Sequence, residues 1–213
     1  MDGVCYQYVA LPMGLTCSPR IFTAVARFIA TEVRRQGILA IFYLDDILAL
    51  GRTKEECEKA IGILLHILEE RGFVINFKKS ELTPQKEFTY LGHVWNTSSM
   101  TVSLKPGREE KLRKTAKEIL SRKIINGKKA SQFIGQVMSS LMAIPLARGR
   151  IRLFQRTFLK TCRTYKEFWK SFAVSDEIRA ELKFWEKLPE GVSLPIKKPR
   201  HVLQMTTDGN SFC

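Results

Sequence analysis

"IFYLDDILAL" occupies residues 41–50 and sets two adjacent carboxylates, Asp45 and Asp46, between two apolar runs of strand-forming residues. A buried carboxylate is costly unless it is paired or neutralised by a metal. The two therefore lie at an ordinary exposed turn, for which Asp is well suited, or they face something positive. The run alone leaves both readings open. Adjacent strand residues point to opposite faces, so at most one of the two carboxylates faces a given site directly.

Upstream, "CSPRIFTAVARFIATEVRRQG" (17–37) carries the signals of a helix: an N-cap at Ser18, Pro19 at the first helical position and Gly37 as the stop. Its apolar residues Ile21, Phe22, Val25, Ile29 and Val33 recur at helical spacing. Downstream, "TKEECEKAIGILLHILEERG" (53–72) opens with a capping box, Thr53 with Glu56, and is expected to bury Ala60, Ile61, Leu64 and Leu68. "FVINF" (73–77) reads as a strand, and "FTYLGHVWN" (88–96) with "TVSL" (101–104) as a second hairpin. The order predicts a mixed α+β unit over residues 1–104.

Beyond Pro106 the signals are helical only, with turns at "NGKK" (126–129) and "IPLARG" (144–149). The last helix runs from an N-cap at Ser175 to Pro189, which predicts an all-helical unit over 105–189. "PEGVSLPIKKP" (189–199) reads as a Pro/Gly linker, so residues 190–213 are expected to be a linker and the first strand of a further domain.

The net charge of +14 is concentrated. Residues 105–129 carry ten Lys or Arg against three acids, and residues 148–166 carry seven and no acid, so each stretch contributes +7. A basic face this dense points to a polyanion, most often nucleic acid. Arg113, Lys117, Arg150 and Arg156 share helices with apolar residues that should pack inward, such as Leu112, Ile119, Leu153 and Phe154, and are the candidates to reach phosphates. The five scattered cysteines and three isolated histidines suggest neither a disulfide framework nor a zinc site. No apolar run is long enough for a membrane span and "MDGVCYQYVA" lacks a signal-peptide layout, so an intracellular location, cytoplasm or nucleus, is expected.

Four segments together are specific. "LPMGLTCSPRIF", "FYLDDILAL", "GFVINFKKSEL" and "FTYLGHVW" stand in the order and spacing of reverse transcriptase motifs B, C, D and E, and the chain resembles the reverse transcriptases of retrotransposons. "LPMGL…SPRIF" and "SLKPGREEKL" are most similar to the DIRS-type group. The resemblance implies a partial polymerase palm, a helical thumb and connection, and the start of an RNase H-like domain at "TTDGN".

It also implies roles. Asp45 resembles the catalytic metal ligand and Asp46 its supporting neighbour, with Mg²⁺ (or Mn²⁺) as the cofactor. Pro12, Met13 and Gly14 match the loop lining the nucleotide pocket, and Tyr43 would sit near the primer end. Lys78 and Lys79 match lysines of which one could protonate the pyrophosphate leaving group. Leu91 and Gly92 match the primer-grip turn, with Phe88, Tyr90 and Trp95 as core packing, and Asp208 matches the first carboxylate of an RNase H site.

Reverse transcriptases take a further metal-binding Asp from motif A, upstream of motif B; Asp2 does not have the spacing to replace it. The chain is accordingly expected to be an internal piece of a retroelement polyprotein. Two functions follow from the resemblance: RNA-directed DNA polymerase acting on a primer–template and dNTPs, or a non-catalytic nucleic-acid-binding remnant. The polypeptide alone is expected to be inactive, and its oligomeric state is left open.

Overall fold

The computed structural model describes residues 3, 5 and 7–196, so Asp208 and the segment expected to open a further domain lie outside the described residues. The chain divides into two compact units, 1–85 and 86–213. The division falls after Gln85, not at Leu104 as the element order suggested.

The first unit packs two helices on one face of a hairpin. Helix α1, Ser18–Arg35, starts one residue earlier than its signals imply: Cys17 is the N-cap, and the Ser18 hydroxyl donates to the Pro12 carbonyl at 2.6 Å instead of capping. Gly37, at φ +78°, ends the helix by donating to the Arg34 carbonyl. Ala26, Ile29, Ala30 and Val33 are buried, whereas Ile21 and Val25 remain about half exposed. The inward stripe thus belongs to the second half of the helix, where α1 meets the rest of the unit.

Strands β1 (Leu39–Tyr43) and β2 (Asp46–Leu50) pair antiparallel with Tyr43 opposite Asp46. Helix α2, Lys54–Glu70, is capped by Thr53, whose side chain accepts from the Glu56 amide. The Glu56 carboxylate completes the motif one residue further out than a capping box, accepting from Arg52 N at 2.7 Å. Ile67, rather than Ile61, joins Ala60, Leu64 and Leu68 in the core. The expected strand at 73–77 does not form: Phe73 and Ile75 lean on the core and Val74 points outward, but the sheet of this unit holds only β1 and β2. The alternation is that of a strand; the pairing partner is what is missing among the described residues.

The second unit is built on a four-stranded antiparallel sheet in the order β3 (Glu87–Tyr90), β4 (His93–Asn96), β5 (Thr101–Leu104), β8 (Ser193–Pro195). What read as one hairpin is a three-stranded meander, and the supposed linker returns as its fourth strand. Leu194 stands opposite the buried Val102, and Pro195, at the end of an edge strand, loses no ladder bond. The Glu109 carboxylate accepts from the amides of Gly191 and Val192, which ties the returning chain down.

Helices α3 (Arg108–Leu120), α4 (Gly127–Met138), α5 (Arg152–Thr161) and α6 (Asp176–Glu186) enclose the larger core, with Phe133, Phe154 and Trp185 fully buried at its centre. This unit is not all-helical. Strands β6 (Ile124–Asn126) and β7 (Ser171–Ala173) pair antiparallel, putting the buried Ile125 opposite the buried Phe172. "NGKK" is a helix start instead of a turn: Asn126 Oδ1 accepts from Lys129 N. Gly127 is required there, because a Cβ would come within 2.5 Å of Cys162 Sγ.

Candidate active site and nucleic-acid interface

Register decides what each face of the β1–β2 hairpin carries. Ala40, Phe42, Ile47 and Ala49 face the helices and belong to the core. The alternate pairs, Leu39 with Leu50, Ile41 with Leu48 and Tyr43 with Asp46, share the opposite face. Tyr43 and Asp46 are thus exposed side by side at the end of an apolar, open face, while Asp45 sits in the two-residue connection Leu44-Asp45.

Leu44 has φ +52°. A non-glycine residue in the left-handed region costs about 1–2 kcal/mol, and such strain gathers where a turn has to aim particular side chains. Asp45 and Asp46, which follow it, are exposed. Both supply hard oxygen donors of the kind Mg²⁺ takes, commonly one or two carboxylates together with substrate phosphates; among the described residues no group of three or more His, Cys, Asp or Glu stands together to hold a metal by itself.

Pro12, Met13 and Gly14 lie on the segment before α1; Gly14 adopts φ +86°, which a side chain would strain, and Met13 is fully exposed. The Ser18–Pro12 bond fixes this segment to the helix start. Sequence reasoning gave Ser18 a capping role and missed this one. Lys78 and Lys79 are exposed in a turn closed by Lys79 N and Ser80 N on the Asn76 carbonyl.

In the second unit, Leu91 (φ +48°) and Gly92 (φ +77°) make the β3–β4 connection, with both central residues left-handed as a type I′ hairpin turn demands. A Cβ at Gly92 would sit 2.7 Å from the Arg108 guanidinium, the movable end of a long side chain, so the positive φ is what favours glycine here. Phe88, Tyr90 and Trp95 are half-buried, not core, with Trp95 Nε1 donating to the Tyr90 carbonyl.

His93 follows this turn. It is buried, its Nδ1 lies 3.2 Å from the Leu91 carbonyl, and its Nε2 finds no partner among the described residues. Burial, and to a lesser extent the Arg108 charge, hold its pKa below the ordinary histidine value, the Leu91 carbonyl opposing them. The folded chain therefore prefers the neutral ring, and the unfolded chain binds the extra proton first. The stability so conferred is complete above the unfolded pKa near about 6.5 and is lost as pH falls through it towards the folded value. The urea midpoint is expected to drop between about pH 7 and pH 5, above the range where carboxylates titrate. His93→Phe should flatten that drop; equal drops in both proteins would refute the assignment.

The four basic candidates divide into two kinds. Arg113 donates to the Leu188 carbonyl at 2.9 Å and pairs with Glu190 at 3.1 Å, so it holds the returning chain instead of reaching outward. Arg150 lies over the Phe184 ring at 4.0 Å. Lys117 and Arg156 are exposed. Leu112, Ile119 and Phe154 pack inward as expected, but Leu153 is partly exposed.

A family model described as reverse transcriptase (RNA-dependent DNA polymerase) matches residues 2–95, that is, the first unit and strands β3 and β4 of the second. The chain is 31% identical over 121 residues to the enzymatic polyprotein of soybean chlorotic mottle virus, covering 56% of this chain and 17% of that protein. It is 34% identical over 89 residues to the Gag-Pol polyprotein of gibbon ape leukemia virus, covering 41% and 5%. The chain spans less than a fifth of the curated relatives it matches.

Among solved structures it is similar to a foamy viral protease-reverse transcriptase in complex with RNA/DNA hybrid, with a TM-score of 0.61, 21% identity and coverage of 84% of this chain and 22% of the other. A foamy viral protease-reverse transcriptase dRH in complex with double-stranded DNA gives a TM-score of 0.58 at 22% identity, covering 83% of this chain and 28% of the other. The mixed α+β architecture is thus similar to part of the foamy viral protease-reverse transcriptase structures. Residues 2–95 thus match the reverse transcriptase family model, and the relatives to which the chain is similar include viral polyproteins.

Proposed function

We propose that the chain is part of an RNA-directed DNA polymerase, in which a primer 3′-hydroxyl attacks the α-phosphate of an incoming dNTP on a template. The observation that carries this reading is the hairpin whose turn places the exposed Asp45 and Asp46 side by side in the chain, within a stretch that matches the reverse transcriptase family. Asp45 and Asp46 would hold Mg²⁺ (or Mn²⁺), which when bound neutralises charge on the attacking and leaving oxygens. Tyr43, on the face it shares with Asp46, positions the primer end, and the Pro12–Gly14 segment lines the nucleotide. The Nζ of Lys78 or Lys79 gives a proton to the departing pyrophosphate. The Leu91–Gly92 turn bears on the primer. The motif words favour a DIRS-type retrotransposon as the source, acting in the cytoplasm or nucleus, where free thiols such as Cys5, Cys17, Cys57 and Cys162 persist.

A two-metal site draws on several carboxylates, and this hairpin supplies two. Residues 1–213 alone are therefore expected to bind an RNA/DNA hybrid without extending it. Titration of a labelled hybrid at several salt concentrations tests the binding. Each phosphate neutralised contributes a log–log slope of about −0.9, so replacing Lys117 and Arg156 together by Ala should reduce the slope by roughly two. Arg113→Ala should lower stability instead, through loss of its Leu188 and Glu190 contacts. Binding that ignores salt would sink the reading, and extension by residues 1–213 on adding dNTPs and Mg²⁺ would show that they need no further carboxylate.

A further inference from the structure

Tyr165 and Trp169 are 75% and 74% exposed. A single exposed apolar residue needs no explanation; two large aromatics four residues apart on one braced turn are a candidate contact surface. These two do not hang from a loose loop. A 3-10 turn, Tyr165–Glu167, is closed by a capping box between Thr164 and Glu167. The Glu167 carboxylate also accepts from Arg163 N at 2.7 Å and from Lys170 Nζ at 2.5 Å, and these donors hold its pKa below the usual carboxylate range. Phe168 packs on Phe158 with ring centroids 5.5 Å apart. The first amides of α4 close the arrangement: Lys128 N donates to the Phe168 carbonyl and Gly127 N to that of Lys170.

The charge along this stretch of chain has one sign. Lys160, Arg163 and Lys166 are exposed, no acid occurs from Arg148 through Lys166, and the next acid in sequence, Glu167, is engaged by Lys170 Nζ and Arg163 N within the turn itself. Flat π-faces beside cations are what an unpaired nucleotide fits: the base stacks, the phosphate meets the cation, and sequence matters little. A duplex offers the phosphates but keeps its base faces stacked inside.

We propose that Tyr165 and Trp169, flanked by Lys160, Arg163 and Lys166, form a docking site for unpaired nucleotides, the single-stranded stretch of a template. The site rests on the nucleic-acid-binding reading above and adds a strand state to it. The test compares a blunt RNA/DNA hybrid, the same hybrid with a single-stranded template overhang, and a free oligonucleotide. The overhang is expected to tighten binding about tenfold, the lower range of one stacked base. Trp169→Ala should abolish that gain and leave blunt-hybrid affinity unchanged; Trp169→Phe should keep most of it; Trp169→Leu, apolar but without a π-face, should behave like Ala. The free oligonucleotide should quench tryptophan emission in the wild type and not in Trp169→Phe.

An overhang that adds nothing, or a gain that survives Trp169→Ala, overturns the site even if the blunt hybrid binds. A gain kept in full by Trp169→Leu also overturns it and marks the patch as an apolar contact for a protein. Failure of the blunt hybrid with quenching intact would instead remove the duplex reading and leave this site standing.

Discussion

Asp45→Asn is expected to reduce primer extension by at least about a thousandfold in a longer chain that contains residues 1–213 and extends primers, since metal-borne charge stabilisation is worth several kcal/mol and 1.36 kcal/mol is tenfold. The substitution keeps the size and turn-forming character of the side chain and removes its charge. Asp45 lies in the connection and not in the ladder, so β1–β2 pairing, which runs from Leu39 with Leu50 to Tyr43 with Asp46, should survive. Affinity for the hybrid should change little, which separates a lost metal ligand from a misfolded hairpin. Asp46→Asn should cost less, because the neighbouring carboxylate supports the site. The reading fails if Asp45→Asn extends primers at the wild-type rate.

What the sequence made legible was local. The β1–β2 hairpin, the Thr53 and Ser175 caps and the Gly37 stop each depend on residues within a turn or two of one another, and the structure shows each of them. What it hid was paired at long range. Strand β8 joins β5 from some ninety residues away, and a Pro/Gly-rich composition disguises it as a linker. Strands β6 and β7 are too short to show a period, and their existence rests on Ile125 meeting Phe172. Conversely, "FVINF" has strand alternation and no partner among the described residues.

The site divides in the same way. The Asp45-Asp46 turn was readable because Asp between apolar runs is conspicuous. The ring of contacts that takes Arg113 away from solvent was not, because Leu188 and Glu190 are distant in sequence. The Ser18–Pro12 bond carried a readable hint, a hydroxyl at a helix start, but the hint points to capping, and only the approach of the preceding loop redirects it.

Trp185→Ala should be the most destabilising of the substitutions considered, at about 3–5 kcal/mol, the range for large aromatics truncated in a core. Trp185 is fully buried, its ring meets Phe133 edge-on at 6.2 Å and Phe184 at 5.1 Å, and its Nε1 donates to the Arg150 carbonyl at 2.7 Å. Truncation opens a cavity against α4 and leaves that carbonyl without its donor. Domains are stable by only about 5–15 kcal/mol, so the urea midpoint should fall markedly while the slope of the transition holds. Trp185→Phe should fall in between, keeping ring contact and losing the hydrogen bond. Trp169→Ala, in the same unit, should stay within about 0.5 kcal/mol of wild type, as exposed positions do. A loss below about 1 kcal/mol at Trp185 would contradict the packing described. A large loss at Trp169 would mean that its exposed ring supports the fold, and its contribution to nucleotide binding would then have to be read from the Phe and Leu variants alone.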